Sequence, residues 1–358
     1  MYRMWRLFKH DESRRSSVRH SIPSIPSLYF TLMLEPMVAS CVCSDMLYAS
    51  TTVGNIYAVY YKDAKISWVC RVGRPIVSTP ALHGNMIIAA TFSSWMDGIR
   101  GDDTVVAVDA YSGSMLWEYR GIGEVFSSPC VVNGIIVLGS LDKHVYAIDT
   151  RSSLLWLYRT EGEVWCSPAY DSKNSLIVVG SDDHHVYALD LDGHLVWKQE
   201  LEGKVRSSTP CISDDGIFIG TYAGYIYRLS RDDGSILYSK YIGAPILSSP
   251  AYSDGMVFFG CSDNHVYAIN SECSILWRMR TGDKVWSTPA VVEDTHTLFI
   301  ASLDSRIYSI DTLTGRINWA FPTMDAVDAS PSLTYDKMFI GSRDGILYAF
   351  TDTPEYIR

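Results

Sequence analysis

The feature that most limits what this chain can fold into is a phrase that returns about every 40 residues. It reads NIYAV, TVVAV, HVYAI, HVYAL, YIYRL, HVYAI, RIYSI and ILYAF, and its third residue falls at Tyr57, Val106, Tyr146, Tyr187, Tyr227, Tyr267, Tyr308 and Tyr348. The spacings are 49, 40, 41, 40, 40, 41 and 40. An aromatic follows the first seven copies, at Trp68, Trp117, Trp156, Trp197, Tyr238, Trp277 and Trp319. A proline comes 12 or 13 residues after that, at 80, 129, 168, 210, 250, 289 and 331. Three phrases in fixed order at one period mean one supersecondary unit repeated along the chain.

Each unit reads as four short strands, A to D. A Ser-Ser-Pro phrase opens strand A, and an apolar run such as residues 134–139 is strand B. Residues 144–149 alternate as strand C, and 154–158 form strand D, with β-branched and aromatic enrichment. Ser-x-Asp-x between B and C gives an aspartate that bonds its own backbone and closes a tight hairpin. A four-stranded sheet of this size buries neither face alone, so the units stack radially as an all-β propeller.

Counting the phrases gives eight A–B–C sets, the first through Cys41 and Leu47, but only seven D strands after them. The missing strand is expected at Ser27-Leu28-Tyr29-Phe30, so residues 27–32 should close a last blade built from 329–350. Pairing the two ends in one sheet removes the seam where the ring would open. The expectation is one eight-bladed domain over 27–350, a basic, poorly ordered extension over 1–26 and a tail over 351–358. The recurring tryptophans are expected to dock between blades. Each indole buries roughly 150–250 Å², on the order of 4–6 kcal/mol gross at about 25 cal/mol/Å².

Composition removes several alternatives. With 47% hydrophobic and 20% charged residues the chain is no disordered polymer, and a net charge of −10 makes nucleic acid a poor partner. No uncharged run reaches the roughly 18–20 residues that a transmembrane helix needs. The eight cysteines show no zinc-ligand spacing.

The phrase VYA-(I/L)-D, then Gly, (L/V)-W and SSP, resembles the repeat of pyrroloquinoline-quinone (PQQ) enzymes over residues 27–350. The same repeat builds quinoprotein alcohol dehydrogenases, the lipoprotein of the bacterial outer-membrane barrel-assembly machinery, and the C-terminal propeller of a eukaryotic adenylate-forming enzyme family. The resemblance implies the fold and does not choose among these functions. Quinone enzymes carry a vicinal Cys–Cys disulfide and a Glu, Asn and Asp set around Ca²⁺. Here the nearest cysteines, Cys41 and Cys43, are separated by one residue, and no calcium set matches. No cofactor, no metal and no PQQ-dependent dehydrogenase activity are therefore expected.

In a propeller the D–A and B–C loops share one face. The residue that opens strand A at the central funnel reads Val38, Val77, Phe126, Trp165, Ser207 with Arg206 beside it, Leu247, Trp286 and Asp328. A purely packing position would be more uniform, so Phe126, Trp165, Arg206, Leu247, Trp286 and Asp328 are candidate binding residues. The alternative is that they plug the channel. Unit 2 is longer by about nine residues, which fall in its B–C loop with Trp95 and Met96, a candidate lid or partner contact. His144, His185 and His265 hold one repeat position in three blades, too far apart for one site. Glu124, Glu161, Glu163, Glu200 and Glu202 give the same face an acidic rim suited to a basic partner.

The leading expectation is a non-catalytic protein- or peptide-binding scaffold, with no catalytic residue assigned. The alternative is a small-molecule binder or enzyme at the same mouth, using Asp328 and Arg206. Cysteines such as Cys130 and Cys211 behave as small core residues of a reducing compartment, which favours the cytoplasm. The other reading is export or lipid anchoring at Cys41, whose cleavage would delete the Tyr29 strand.

Overall fold

The computed structural model describes residues 11, 16–18, 22–35, 46–93 and 103–351, together with the backbone of 38–43. Among them are eight antiparallel four-stranded blades and no helix. Blade 1 runs Val38–Cys43, Leu47–Thr51, Asn55–Tyr60 and Lys65–Arg71. Blade 4, typical of the rest, runs Ala169–Asp171, Leu176–Gly180, His185–Leu189 and Leu195–Glu200. Strands B and C are almost wholly buried, while strand D exposes alternate residues, the pattern of a central sheet with a solvated outer edge.

Each repeated phrase has a physical task. The aspartate of Ser-x-Asp-x accepts the backbone N–H two residues on, as His144 N–H to Asp142 Oδ1 at 3.1 Å and His185 N–H to Asp183 Oδ1 at 3.0 Å. The residue between adopts positive φ, 73° at both Lys143 and His184. The tyrosine of VYA donates to the same carboxylate: Tyr146 to Asp142 at 2.6 Å, Tyr187 to Asp183 at 2.8 Å and Tyr308 to Asp304 at 2.6 Å. In the SSP phrase the hydroxyl before proline reaches across to the preceding blade. Thr79 N–H donates to Ser128 Oγ at 3.1 Å, Ser128 N–H to Ser167 Oγ at 2.8 Å and Thr288 N–H to Ser330 Oγ at 2.9 Å. These short inner strands have no room for a full ladder, and side-chain hydroxyls supply the partners their N–H groups require.

The tryptophans dock between blades. Trp68, Trp117, Trp156 and Trp277 donate Nε1–H to the C–D turn of the next blade, at Ala110, Thr150, Leu191 and Thr312, over 2.8–3.1 Å. The indole lies so close on the turn that a Cβ at Gly193, whose φ is +86°, would meet the Trp156 ring at 2.6 Å.

The last blade consists of Ser332–Leu333, Lys337–Gly341 and Ile346–Thr351, and Ser27–Met33 pairs antiparallel with its third strand. The ring therefore closes through the two ends of the chain. The offset of 12 residues before Cys41 points to Tyr29 as the docking aromatic of this strand, and the structure places it one residue later. Phe30, not Tyr29, faces Ala349 and so holds the place that Trp156 takes opposite Ala147; the bulge beside it, between Leu28 and Phe30, recurs in the outer strands of other blades. Phe30 packs against Phe339, and the displaced Tyr29 donates its hydroxyl to Lys62 O of blade 1 at 2.6 Å. One core cluster then joins blades 7, 8 and 1 through Phe299, Phe339, Phe350, Leu47 and Tyr57.

Within the extension, residues 16–18 and 22–26 lie outside the repeat but inside the fold. Ser17–Val18 form a fifth strand of blade 7, parallel to its innermost strand Ala290–Val292. Val291 N–H donates to Ser16 O at 2.9 Å and Glu293 N–H to Val18 O at 2.8 Å. Pairing on the inner side of an innermost strand puts this segment in the central channel. It leaves on the far face, where Thr295 Oγ1 donates to Ile22 O at 3.3 Å and Ser309 Oγ to Ser24 O. Ile22 is fully buried there. The chain threads its own ring.

Candidate functional site

Strand A starts at the mouth, and the residue just before the mouth position is a buried branched aliphatic: Ile76, Val125, Val164, Val205, Ile246, Val285 or Val327. Its side chain presses on a strand B, so close that a Cβ at Gly180 would stand 2.2 Å from Val205 Cγ1. This anchor fixes the direction of the next side chain, which faces the funnel. Val77, Phe126, Trp165, Arg206, Leu247, Trp286 and Asp328 all follow such an anchor and are all half-buried. In blade 5 Arg206, not Ser207, follows the anchor Val205; Ser207 is the extra residue that makes its aromatic-to-proline spacing 13.

A second tier completes the mouth. The variable residue of Ser-x-Asp, in the B–C loop, donates its N–H to the D–A loop beneath: Phe92 to Pro75 O and Asp182 to Glu163 O at 2.8 and 2.9 Å, Tyr222 to Lys204 O at 2.8 Å. Reading the two tiers together gives one continuous arc. Phe92, Phe126 and Trp165 form a triangle with ring centroids 5.4–6.2 Å apart. The Arg206 guanidinium lies 4.9 Å from the Trp165 centroid and 5.8 Å from that of Tyr222. Asp182 holds Arg206 through two hydrogen bonds to Nε, at 3.0 and 3.2 Å, and a third to Nη2. These bonds, against the opposing effect of burial, raise the guanidinium pKa further. Lys204 reaches Asp182 at 3.3 Å, and Trp165 Nε1–H donates to Glu163 Oε2 at 2.8 Å.

Of the residues read from the sequence, Phe126, Trp165 and Arg206 meet in this arc. Trp286 stands in another sector, with Nε1–H toward Ser262 Oγ at 3.4 Å and Lys284 Nζ 5.9 Å from its ring. Asp328 is bound by Arg343 at 2.6 and 3.1 Å. Leu247 is half-buried. Trp95 and Met96 lie outside the described residues, as does the side chain of Val38. Phe92, Asp182 and Tyr222 went unassigned to the mouth. The signal was present: the x position of Ser-x-Asp varies as Thr52, Phe92, Leu141, Asp182, Tyr222, Ser262, Leu303 and Arg343, as irregular as the first tier.

The quinone site does not fit these residues. The mouth carboxylates Asp182 and Asp328 are each engaged by an arginine. No two cysteines are adjacent in the sequence. His144, His185 and His265 each turn Nδ1 to the local turn carbonyl at 2.9–3.0 Å. On the far face a cleft of about 460 Å³ is lined by Asn174, Leu176, Asp190, Val196 and Asp232. Asp190, Asp192 and His194 cluster beside it, but Asp190 already accepts the N–H groups of Asp192 and His194.

Comparisons with known proteins agree with this architecture. Residues 101–355 match the protein-family model described as "Beta-alanine-activating enzyme, beta-propeller". Residues 34–160 match that of the outer membrane protein assembly factor BamB. No curated protein matches the chain. Among solved structures, BamB from Moraxella catarrhalis superposes with a TM-score of 0.76 at 16% identity, covering 91% of this chain and 100% of that one. The quinohemoprotein alcohol dehydrogenase from Comamonas testosteroni gives 0.83 at 13% identity, covering 98% and 80%. A europium-containing methanol dehydrogenase gives 0.81 at 13%, covering 97% and 98%. At such identities the likeness is one of fold.

Proposed function

We propose that this chain, which belongs to the beta-propeller family of the beta-alanine-activating enzyme, is a non-catalytic docking module for a protein or an extended peptide. The contact surface is the D–A/B–C face, centred on the arc Phe92, Phe126, Trp165, Arg206 and Tyr222. The observation that carries the reading is that arc. The rings of Phe126, Trp165 and Tyr222, backed by the buried Phe92, and a guanidinium whose charge Asp182 already balances make a low-entropy surface of the kind that anchors side chains of a partner. Asp182 and Asp328 are each held by an arginine, and Glu163 accepts the indole N–H of Trp165, so these acids serve the architecture of the mouth. The similarity to BamB, an assembly factor by its description, supports a protein partner in the same sense.

The test is a display library of peptides selected on the intact chain. Trp165→Ala and Phe126→Ala should each weaken the selected peptides by at least about tenfold, the loss of one aromatic anchor, while the melting temperature moves by less than about 3 °C. A large fall in melting temperature with no specific loss of capture would instead make the arc a packed plug. The same reading keeps the protein in the cytoplasm, on the buried thiols of Cys70, Cys261 and Cys273 and on the use of residues 27–33 in the ring. Recovery of a chain that begins at Cys41 from membranes would refute that placement.

A further inference from the structure

The threading strand has a direction, and the direction decides where the first residues of the chain emerge. Ser17–Val18 run parallel to Ala290–Val292, which descends from the D–A face to the A–B loop. Ser16 therefore sits at the upper end, where its hydroxyl donates to Pro289 O, and Ile22 at the lower end, against Thr295. The chain ahead of Ser16 is thus joined to the ring on the D–A/B–C face, the face of the aromatic arc. Fifteen extended residues reach up to about 50 Å, ample to cross from blade 7 to blades 3–5.

What arrives there matches what waits for it. Residues 1–15 carry Arg3, Arg6, Lys9, Arg14 and Arg15 against Asp11 and Glu12, with Trp5 and Phe8 interleaved among the first three cations. The arc is flanked by the D–A loops of blades 3, 4 and 5, which carry Glu124, Glu161, Glu163 and Glu202, and by Glu200 at the end of strand D of blade 4. Of these, Glu161, Glu200 and Glu202 are exposed. Two cations of the arc, Arg206 and Lys204, are already bound by Asp182. We propose that residues 1–15 of this chain occupy the aromatic arc in cis, as a basic aromatic peptide that an outside partner must displace. The proposal rests on the reading of the arc as a contact surface and adds its first occupant and a form of self-inhibition.

A tether of this length gives an effective concentration in the millimolar range, so an intact segment should mask the arc from a competing copy of itself. A fluorescein-labelled synthetic peptide of residues 1–15 is titrated into the full chain and into a full chain disarmed by Arg3→Ala, Trp5→Ala, Arg6→Ala and Phe8→Ala. The disarmed chain should bind the peptide at least about tenfold more tightly than the intact one. In the disarmed background Trp165→Ala should abolish binding, and the surface pair Glu161→Gln with Glu202→Gln should weaken it severalfold without altering the melting temperature. Equal affinity for intact and disarmed chains, or binding that survives both sets of substitutions, would overturn the proposal. If library peptides still bind through Trp165 with no difference between intact and disarmed chains, self-occupancy fails and the docking reading stands. If neither kind of peptide binds, both fall.

Discussion

Asp142, Asp183, Asp263, Asp304 and Asp344 show how one carboxylate can hold three parts of a blade. Each accepts a tyrosine hydroxyl, all but Asp304 also close their own turn by accepting the N–H two residues on, and Asp142, Asp183, Asp304 and Asp344 accept an N–H from the D–A loop. The turn was legible, because an aspartate beside a residue of positive φ is a local matter. The tyrosine bond was not, since the four-residue offset in sequence says nothing of which way the ring points. Burial and the neighbouring carboxylate raise the phenol of Tyr308 and that of Tyr348 to about 12. A phenol raised in the folded state contributes stability that is complete below the unfolded value of about 10 and lost as pH rises through the folded one. The chain should therefore lose stability between pH 10 and 12, read as a falling denaturation midpoint. Tyr348→Phe should start lower at neutral pH and show a shallower fall; a parallel fall would contradict the assignment. The mouth divided the same way. Phe126, Trp165 and Arg206 stood out as departures from a uniform repeat, whereas Phe92, Asp182 and Tyr222 vary as irregularly but on a different loop, and only the fold brings the two tiers together.

Among the strands, the outer one of blade 8 carries the closure. Its existence could be read from a deficit, seven D strands for eight blades, but its register could not, since Tyr29 and Phe30 are both aromatic and only the pairing puts Phe30 opposite Ala349. Phe30 is buried against Phe339, and Phe30→Ala should cost about 3–5 kcal/mol. The measurement is a denaturant midpoint, and a change below 1 kcal/mol would show that Ser27–Met33 does not seal the ring. Ser17–Val18 left no trace in the sequence. Two residues are too few for any periodicity, and their partners lie more than 270 residues further on. Only the assembled ring makes that pairing visible.

Taken as one body, the propeller has no weak seam to open first. The blades share buried clusters with their neighbours, and the cluster that joins the ends of the chain runs unbroken from blade 7 to blade 1. Heat should then unfold it in a single transition, with tryptophan fluorescence and far-ultraviolet circular dichroism superimposing. Two resolved steps would mean that a group of blades melts alone. The eight-part plan was legible because its period repeats in every unit, while the passage of the chain through its own centre obeys no repeat at all.

Closure by Ser27–Met33 also sets a timetable. The strand is made first, yet its partner Ile346–Thr351 is made last. At ribosomal speeds of roughly 5–20 residues per second, SLYFTLM waits about 15–60 s with no mate. Over that interval a short apolar stretch with unsatisfied amides is on offer to any nascent neighbour, so the newborn polypeptide, more than the mature one, is the form that a chaperone must shield.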